Sequence, residues 1–515
     1  MATRRTGIAR RLRPVRGLFK VLFSTKMAGA GVIILSIYIF VALAAPLLTP
    51  WQPLSGPPVA GSLAPPLWFS YFSEGNRLSQ NLALDQQTPF KTDPLLQGWQ
   101  LNASDSHIRA NFNSTYTYFG SGSGSVQITL DRSSLLPGRY TATFQKTFTW
   151  PYIGAPARFE GSLALRTPTV SSGNPVLASV FIQRIEPKTK FIVTNNATWT
   201  GCVNLTNCPL SFDQTRWWQP NNNGGIDSVT PAMATLVNAV GVDPATLIFA
   251  SQGQYTYGVS VTFISNATSS QPLQVVLDNL NLKLLGTSWG YLGTDATGHD
   301  VFSQLVYGAR ISLIVGLLSA AIGISVGLAV GLMAGYLGKI VDEVLMRFTD
   351  MLLVIPTLPL LIILIAVLQG RGTLTALIVV IGFLGWMGFA RVVRAQVLSL
   401  KERPFIEAAK AAGAGTGHIT VKHIIPNIVG LIYVNLALSV PAAILSEAAL
   451  SFLGLGDTTV LSWGRMLNLV EEFEAAHAWW WVLPPGFSIA LVSLSFVMIG
   501  FSLDTIFNPR LRQRK

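Results

Sequence analysis

Six runs of apolar residues along the chain are each long enough to cross the hydrocarbon core of a bilayer: 27–48, 311–335, 350–369, 373–393, 428–450 and 484–504. Between the first and the second, from about 52 to 288, the texture changes. Asn, Ser, Thr, Gly and aromatic residues dominate there, and β-formers alternate with polar residues in Ser125–Leu130, Arg139–Phe144, Tyr255–Phe263 and Leu273–Leu282. A period of two puts alternate side chains on opposite faces of a strand, and turn residues separate the runs. The pattern predicts an all-β, antiparallel sandwich-like domain inserted into a six-helix integral membrane protein. About 235 residues are enough for such an insert to bury a core of its own.

Within the apolar runs, Gly323, Gly327, Gly331 and Gly335 recur every fourth residue. That spacing clears one helix face for close approach by another helix, expected here as packing inside the bundle, with subunit contact as the alternative. Pro356 and Pro359 are expected to kink the third run. Asp350 and Glu447 lie near the ends of their runs, which predicts interfacial placement.

Composition and charge fit this layout. Half of the 515 residues are hydrophobic, 12% are charged, and the mean hydropathy is +0.45. The net charge of +12 is accounted for by the two ends, 1–26 with its eight bases and no acid, and 510–515. Basic ends flanking apolar runs follow the positive-inside pattern, so both termini (1–26 and 509–515) are expected in the cytoplasm and nucleic-acid binding is not. The run 27–48 is too long for a signal-peptide core and lacks a small-residue cleavage site, so it is read as an uncleaved span. The loop 391–426 is rich in Lys and Arg and should be cytoplasmic. The loop 451–483, with Glu471, Glu472, Glu474 and Trp479-Trp480-Trp481, should lie outside and re-enter through an aromatic belt.

The segment 52–288 is then extracellular. It holds N-x-[ST] sequons at Asn102, Asn113, Asn196, Asn204 and Asn266, which are candidate glycosylation sites. Its Cys202 and Cys208 are the only cysteines of the chain. An oxidising exterior favours a disulfide between them, with free thiols or half of a metal site as alternatives.

The most informative stretch is Arg403-Pro404-Phe405-Ile406-Glu407-Ala408-Ala409-Lys410-Ala411-Ala412-Gly413, continuing to His423-Ile424-Ile425-Pro426. Pro404 can open a helix, alanines sustain it and Gly413 can end it. A short rigid helix held between two membrane spans can seat in a groove on a soluble partner and pass that partner's motion to the spans. The stretch resembles the E-A-A loop of ABC importer permeases, with Glu407, Ala408, Ala409, Gly413 and Pro426 at the motif positions. A second stretch, Gly293-Thr294-Asp295 through Gly298-His299-Asp300 to Tyr307-Gly308-Ala309-Arg310, is similar to the entry of the dipeptide, oligopeptide and nickel permeases of the C type. So are Glu447–Gly456 with Ser462-Trp463-Gly464, and the ending Asp504–Leu511. The resemblance covers 289–512 closely and 27–48 loosely.

That resemblance implies a type I importer permease whose five further spans lie in 289–508. Its loop at about 391–426 would dock on an ATPase. The partners implied are a second homologous permease, two ATPase subunits carrying ATP and Mg, and an extracellular substrate-binding protein. The implied substrate is a dipeptide or oligopeptide, with oligosaccharide as the alternative. His299 departs from the family, which usually has Arg there, and the family is silent on the long insert. No G-x-x-x-x-G-K-[ST] loop occurs in the sequence, so this chain is expected to bind no cofactor and to be no enzyme. No catalytic or metal constellation stands out, and the five histidines are scattered. Trp217-Trp218 would suit a glycan-binding surface or a core equally. Two readings of other classes are a surface receptor or adhesin built on the β domain, and a secondary transporter. The first makes six spans superfluous, and the second calls for an internal repeat that the sequence lacks.

Overall fold

The computed structural model describes residues 25–84, 90, 92–114, 117–118, 124–168, 176–194, 226–265, 270–368 and 374–507. It divides into a helical unit, Met1–Gly56 with Asp300–Lys515, and a β unit, Pro57–His299. The division after His299 falls later than the composition change at 288. Residues 289–299 belong with the β unit because they pair with its first residues. The Val59 amide donates to Gly298 O (2.8 Å), Leu63 to Asp295 O (2.8 Å) and Thr294 to Ala64 O (2.8 Å).

The β unit contains β1 (Leu82–Ala83), β2 (Trp99–Ala103), β3 (Ile108–Asn113), β4 (Ser125–Leu130), β5 (Gly138–Trp150), β6 (Arg158–Arg166), β7 (Val176–Arg184), β8 (Thr189–Ile192), β9 (Ile226–Asp227), β10 (Gly253–Ser265) and β11 (Leu273–Leu285). All four alternating runs of the sequence lie in strands. One sheet runs β3-β4-β11-β6-β9, with β1 also on β11, and the other runs β2-β5-β10-β7-β8. Every pairing among the described strands is antiparallel. The longest register joins β10 to β5, from Gly253 opposite Trp150 to Ser265 opposite Gly138. One hydrophobic core draws on both sheets, with Val126 and Ile128 of β4, Phe144 of β5, Val259 and Val261 of β10, and Val275 and Leu277 of β11. Trp99 stacks on Phe144 at 5.1 Å, an offset that suits two aromatic quadrupoles. Asn102 is exposed on β2 and Asn113 is half-buried at the end of β3. Asn196, Asn204, Asn266, Cys202, Cys208, Trp217 and Trp218 lie outside the described residues.

The central strand β11 slips register between Asp278 and Asn281, where Asn279 takes a left-handed φ of 53°. The buried Asp278 carboxylate accepts from the Tyr118 amide (2.9 Å), the Asn279 amide (2.6 Å) and Thr117 Oγ1 (3.3 Å). Burial outweighs these bonds and pushes its pKa above the ordinary 3.8. The fold therefore favours protonated Asp278. That contribution to stability is full below pH 3.8 and is lost as pH rises through the raised value. Hydrogen exchange at β11 amides of the full chain should accordingly quicken from acid to neutral pH beyond the intrinsic rate, and Asp278→Asn should remove that excess. Equal pH dependence in the two proteins would refute the assignment.

The helical unit contains α1 (Lys26–Leu48), α4 (Val301–Leu337), α5 (Lys339–Val354), α6 (Thr357–Val367), α7 (Leu374–Leu384), α8 (Met387–Lys401), α9 (Pro404–Ala411), α10 (Thr416–Ile419), α11 (Ile425–Phe452), α12 (Trp463–Glu472) and α13 (Trp479–Phe507). Two short helices of the β unit, Pro231–Leu236 and Pro244–Ile248, are α2 and α3. Among the described residues four helices are long and apolar enough to cross a membrane, and two bent pairs bring the number to six if each pair is one span. The third expected span, 350–369, is not a single helix. α5 and α6 meet at 92°. Pro356 lacks an N–H and crowds the residue before it, so Ile355 leaves the helix with ψ 126°. The fourth expected span, 373–393, is α7 and α8 bent by 40° at Gly385-Trp386.

The glycine face of α4 packs within the unit. A Cβ at Gly327 would lie 2.7 Å from Trp386 O, and one at Gly331 would lie 2.6 Å from Ala390 O. α8 thus crosses α4 backbone to backbone. The aromatic belt expected at Trp479-Trp480-Trp481 is corrected for two of its members. Trp479 is exposed, but Trp481 is fully buried with Nε1 donating to Gln304 Oε1 (3.2 Å), and Trp480 is buried beside it. α12 and the turn after it fold against the unit, so the indoles of Trp480 and Trp481 fill protein.

Candidate functional site

The E-A-A stretch forms α9. Arg403 enters it extended (φ −82°, ψ 143°) and Pro404 takes the first turn, where a missing N–H costs nothing. Glu407 also lies in the first turn, where a carboxylate complements the helix dipole. At the far end the Gly413 amide donates to Lys410 O (2.9 Å) and the Ala414 amide to Ala409 O (3.0 Å). This is a Schellman closure, and it sets Gly413 at φ 80°. The chain then turns through α10 and a π-helical turn, Thr420–Ile424, into α11, with Pro426 in its first turn.

One side chain of α9 anchors it. Ile406 is fully buried in a cluster with Phe389, Val393 and Val397 of α8, Ile324 of α4, and Ile419, Ile424 and Ile428 around the start of α11. Ala409 packs at its edge. The other face, with Phe405, Glu407, Ala408, Lys410 and Ala411, is exposed, as are Gly413 and Pro426. A short helix therefore touches three spans through one buried residue and offers a small-residue face outward. Ile406 stands inside the motif, but its role is not visible in it, because its partners lie up to 82 residues away on α4.

The cluster is tied further. Arg394 of α8 holds Asp342 of α5 in a bidentate pair, Nε to Oδ1 at 2.5 Å and Nη2 to Oδ2 at 2.6 Å. Arg391 pairs with Asp350, Nε to Oδ1 at 3.1 Å. Lys401 Nζ caps the C-terminal end of α4 on Tyr336 O (2.9 Å). Asp350 is therefore an ion-pair partner on α5. The planar Arg394 fork, held by both oxygens of Asp342, ties α5 to α8.

Glu447 lies near the end of α11, as its position in the apolar run implied, and is enclosed by protein at 2% exposure. Its Oε1 accepts from Ser451 Oγ (2.6 Å) and from Ser462 Oγ (2.6 Å). Ser462 also caps α12 by accepting from the Arg465 amide (3.1 Å). Trp463 beside it donates from its amide to Ser312 Oγ (3.1 Å) and from Nε1 to Leu305 O (3.0 Å) of α4. Thus the Glu447–Gly456 and Ser462-Trp463-Gly464 motifs lock α12 to α11 and α4.

The helical unit is thus a bundle of apolar helices with two bent pairs and a short helix, α9, that is exposed on one face. The family model for binding-protein-dependent transport system inner membrane components matches residues 327–513. The dipeptide transport system permease protein DppC of Bacillus subtilis is 42% identical over 224 residues, which is 43% of this chain and 69% of that protein. The oligopeptide permease proteins OppC of Bacillus subtilis and of Escherichia coli K12 are 38% and 42% identical, each over 43% of this chain and 72% of their own length. The chain belongs to this family of ABC importer permeases. A chain of the MetNI methionine ABC transporter aligns over 40% of this chain and 94% of its own length at 22% identity, with a TM-score of 0.32, too low to bear on the fold.

Proposed function

We propose that this chain is the C-type transmembrane subunit of an ATP-driven importer of dipeptides and oligopeptides in the cell membrane. The observation that carries the reading is α9, a helix with one buried anchor and an exposed small-residue face, in a chain whose relatives are named as peptide permeases. α9 docks in a cleft of a partner ATPase, which supplies ATP and Mg chemistry that this chain lacks. A second permease, a second ATPase and an extracellular binding protein complete the complex. When the ATPases close, α9 moves as a lever. Ile406 carries the displacement to α8 and α11, and the Asp342–Arg394 pair carries it to the bend between α5 and α6.

Both termini are cytoplasmic and the β unit is extracellular, a two-sheet sandwich with glycans on its sequons and a Cys202–Cys208 disulfide. It receives the extracellular binding protein. The test of the whole reading is uptake into proteoliposomes carrying the complete complex, with labelled peptide in competition against unlabelled peptides and oligosaccharides. Peptides should compete and oligosaccharides should not. The reverse order would assign the importer to sugars, and accumulation without ATPase subunits would remove it from this class.

A further inference from the structure

Between α4, α6, α7 and α11 lies a cavity of about 230 Å³. Among the described residues its wall is small or apolar except for four hydroxyls, those of Ser319, Thr357, Ser439 and Ser446, and no charged side chain lines it. Three features bear on what it holds. Ser439, Ala443 and Ser446 are spaced by four and three residues, so one face of α11 presents both serines to the cavity. Thr357 is the first residue of α6, directly after the 92° break. The break thus sets Thr357 in the cavity wall, while Ile355 and Pro356 themselves are exposed. Ser319 Oγ donates to Ile378 O (3.1 Å), which leaves its lone pairs to accept.

An apolar cavity of this size stays dry, whereas hydroxyls on three helices give water, or groups that replace water, several partners. Each hydroxyl both donates and accepts, so the set matches amide N–H and C=O in either chain direction. With no charge among the described wall residues, they make no choice among charged side chains. They read what every peptide shares. The volume admits a short extended stretch and no folded chain. α11 carries Ser439 and Ser446 as well as Ile428, which packs with Ile406 of α9. Displacement of α9 therefore acts on the same helix that forms the cavity wall.

We propose that this cavity is a subsite for the backbone of the transported peptide, with Thr357, Ser439 and Ser446 as its amide partners. The inference rests on the reading of the chain as a peptide permease. The test places single cysteines at Ser446, in the wall, and at Leu445, exposed on another face of α11. Labelling by a water-soluble thiol reagent is followed in the full complex against the unsubstituted chain, which reports Cys202 and Cys208. With peptide at ten times its half-saturating concentration, labelling of Ser446→Cys should slow about tenfold and that of Leu445→Cys should not change. In parallel, Ser446→Phe should lose peptide uptake while ATP hydrolysis by the assembled complex persists, and Ser446→Ala should slow uptake to a similar extent for acidic, basic and neutral peptides. If the unsubstituted complex transports peptide but Ser446→Cys is labelled equally with and without it, or cross-links to the second permease instead, the subsite is overturned and the permease reading stands. If the unsubstituted complex transports no peptide, both fall.

Discussion

Gly413→Val is expected to remove most peptide uptake while leaving the membrane spans assembled. Gly413 closes α9 with φ 80°, and nothing lies within 4 Å of where its Cβ would be. The substitution therefore creates no clash, and its cost is the backbone conformation alone. A left-handed φ costs an L residue about 1–2 kcal/mol, and a β-branched side chain pays at least that. One or two kcal/mol shifts an equilibrium by a factor of roughly 5–30, so the Schellman closure opens that much more often and α9 frays or runs on. Ile406 stays anchored in its cluster while the exposed face turns away from its partner. The measurement is ATP-driven uptake beside the elution profile of the purified complex in detergent. Gly413→Ala should give a milder loss, and Gly413→Asn, which tolerates the left-handed region, should retain the most activity. Equal uptake by Gly413→Val and the parent would show that the cap does not position the docking face.

Glu447→Ala is expected to lower the amount of folded protein in the membrane several-fold. The carboxylate is the common acceptor for Ser451 and Ser462. Ser451 lies on α11 and can turn to the carbonyl four residues back, as helical serines do. Ser462 sits at the N-cap of α12 and has no such alternative on its own helix. Leaving its hydroxyl without an acceptor costs about 1–3 kcal/mol, and the space left by the side chain adds to this. Changes of that size alter steady-state abundance several-fold. Glu447→Gln keeps an acceptor at Oε1 and should recover most of the loss. Abundance measured by in-gel fluorescence of a tagged chain decides the matter, and normal accumulation of Glu447→Ala would show that the lock on α12 is dispensable.

How much of this is legible in the sequence depends on how far apart the interacting residues lie. The ends of α9 are local features, and Pro404 and Gly413 announce them. The strands are local too, because β4, β10 and β11 each carry their own alternation. The four-residue glycine spacing on α4 reveals a contact face but not that α8 fills it. The third span misleads because its apolar window, 350–369, begins inside a helix that starts at Lys339. The charges Asp342 and Asp350 hide the amphipathic first half, and their partners Arg394 and Arg391 lie 52 and 41 residues away. Glu447 is legible only in part. Hydropathy places it near the end of a span, while its burial is made by a loop that returns 15 residues later to bring Ser462 onto it. The hydroxyl-lined cavity is a product of four helices meeting, and no local pattern marks it.

The central claim is that the exposed face of α9 meets the ATPase, and a single cross-link tests it. Ala408→Cys is placed on that face in the full complex, with Leu96→Cys on the β unit as the control, and a short thiol-to-amine reagent is applied in membranes. A covalent adduct of one chain with one ATPase subunit, formed by Ala408→Cys, lost on disassembly and not given by Leu96→Cys, is the expected result. Failure of Ala408→Cys to capture the ATPase in a complex that still transports peptide would contradict the account.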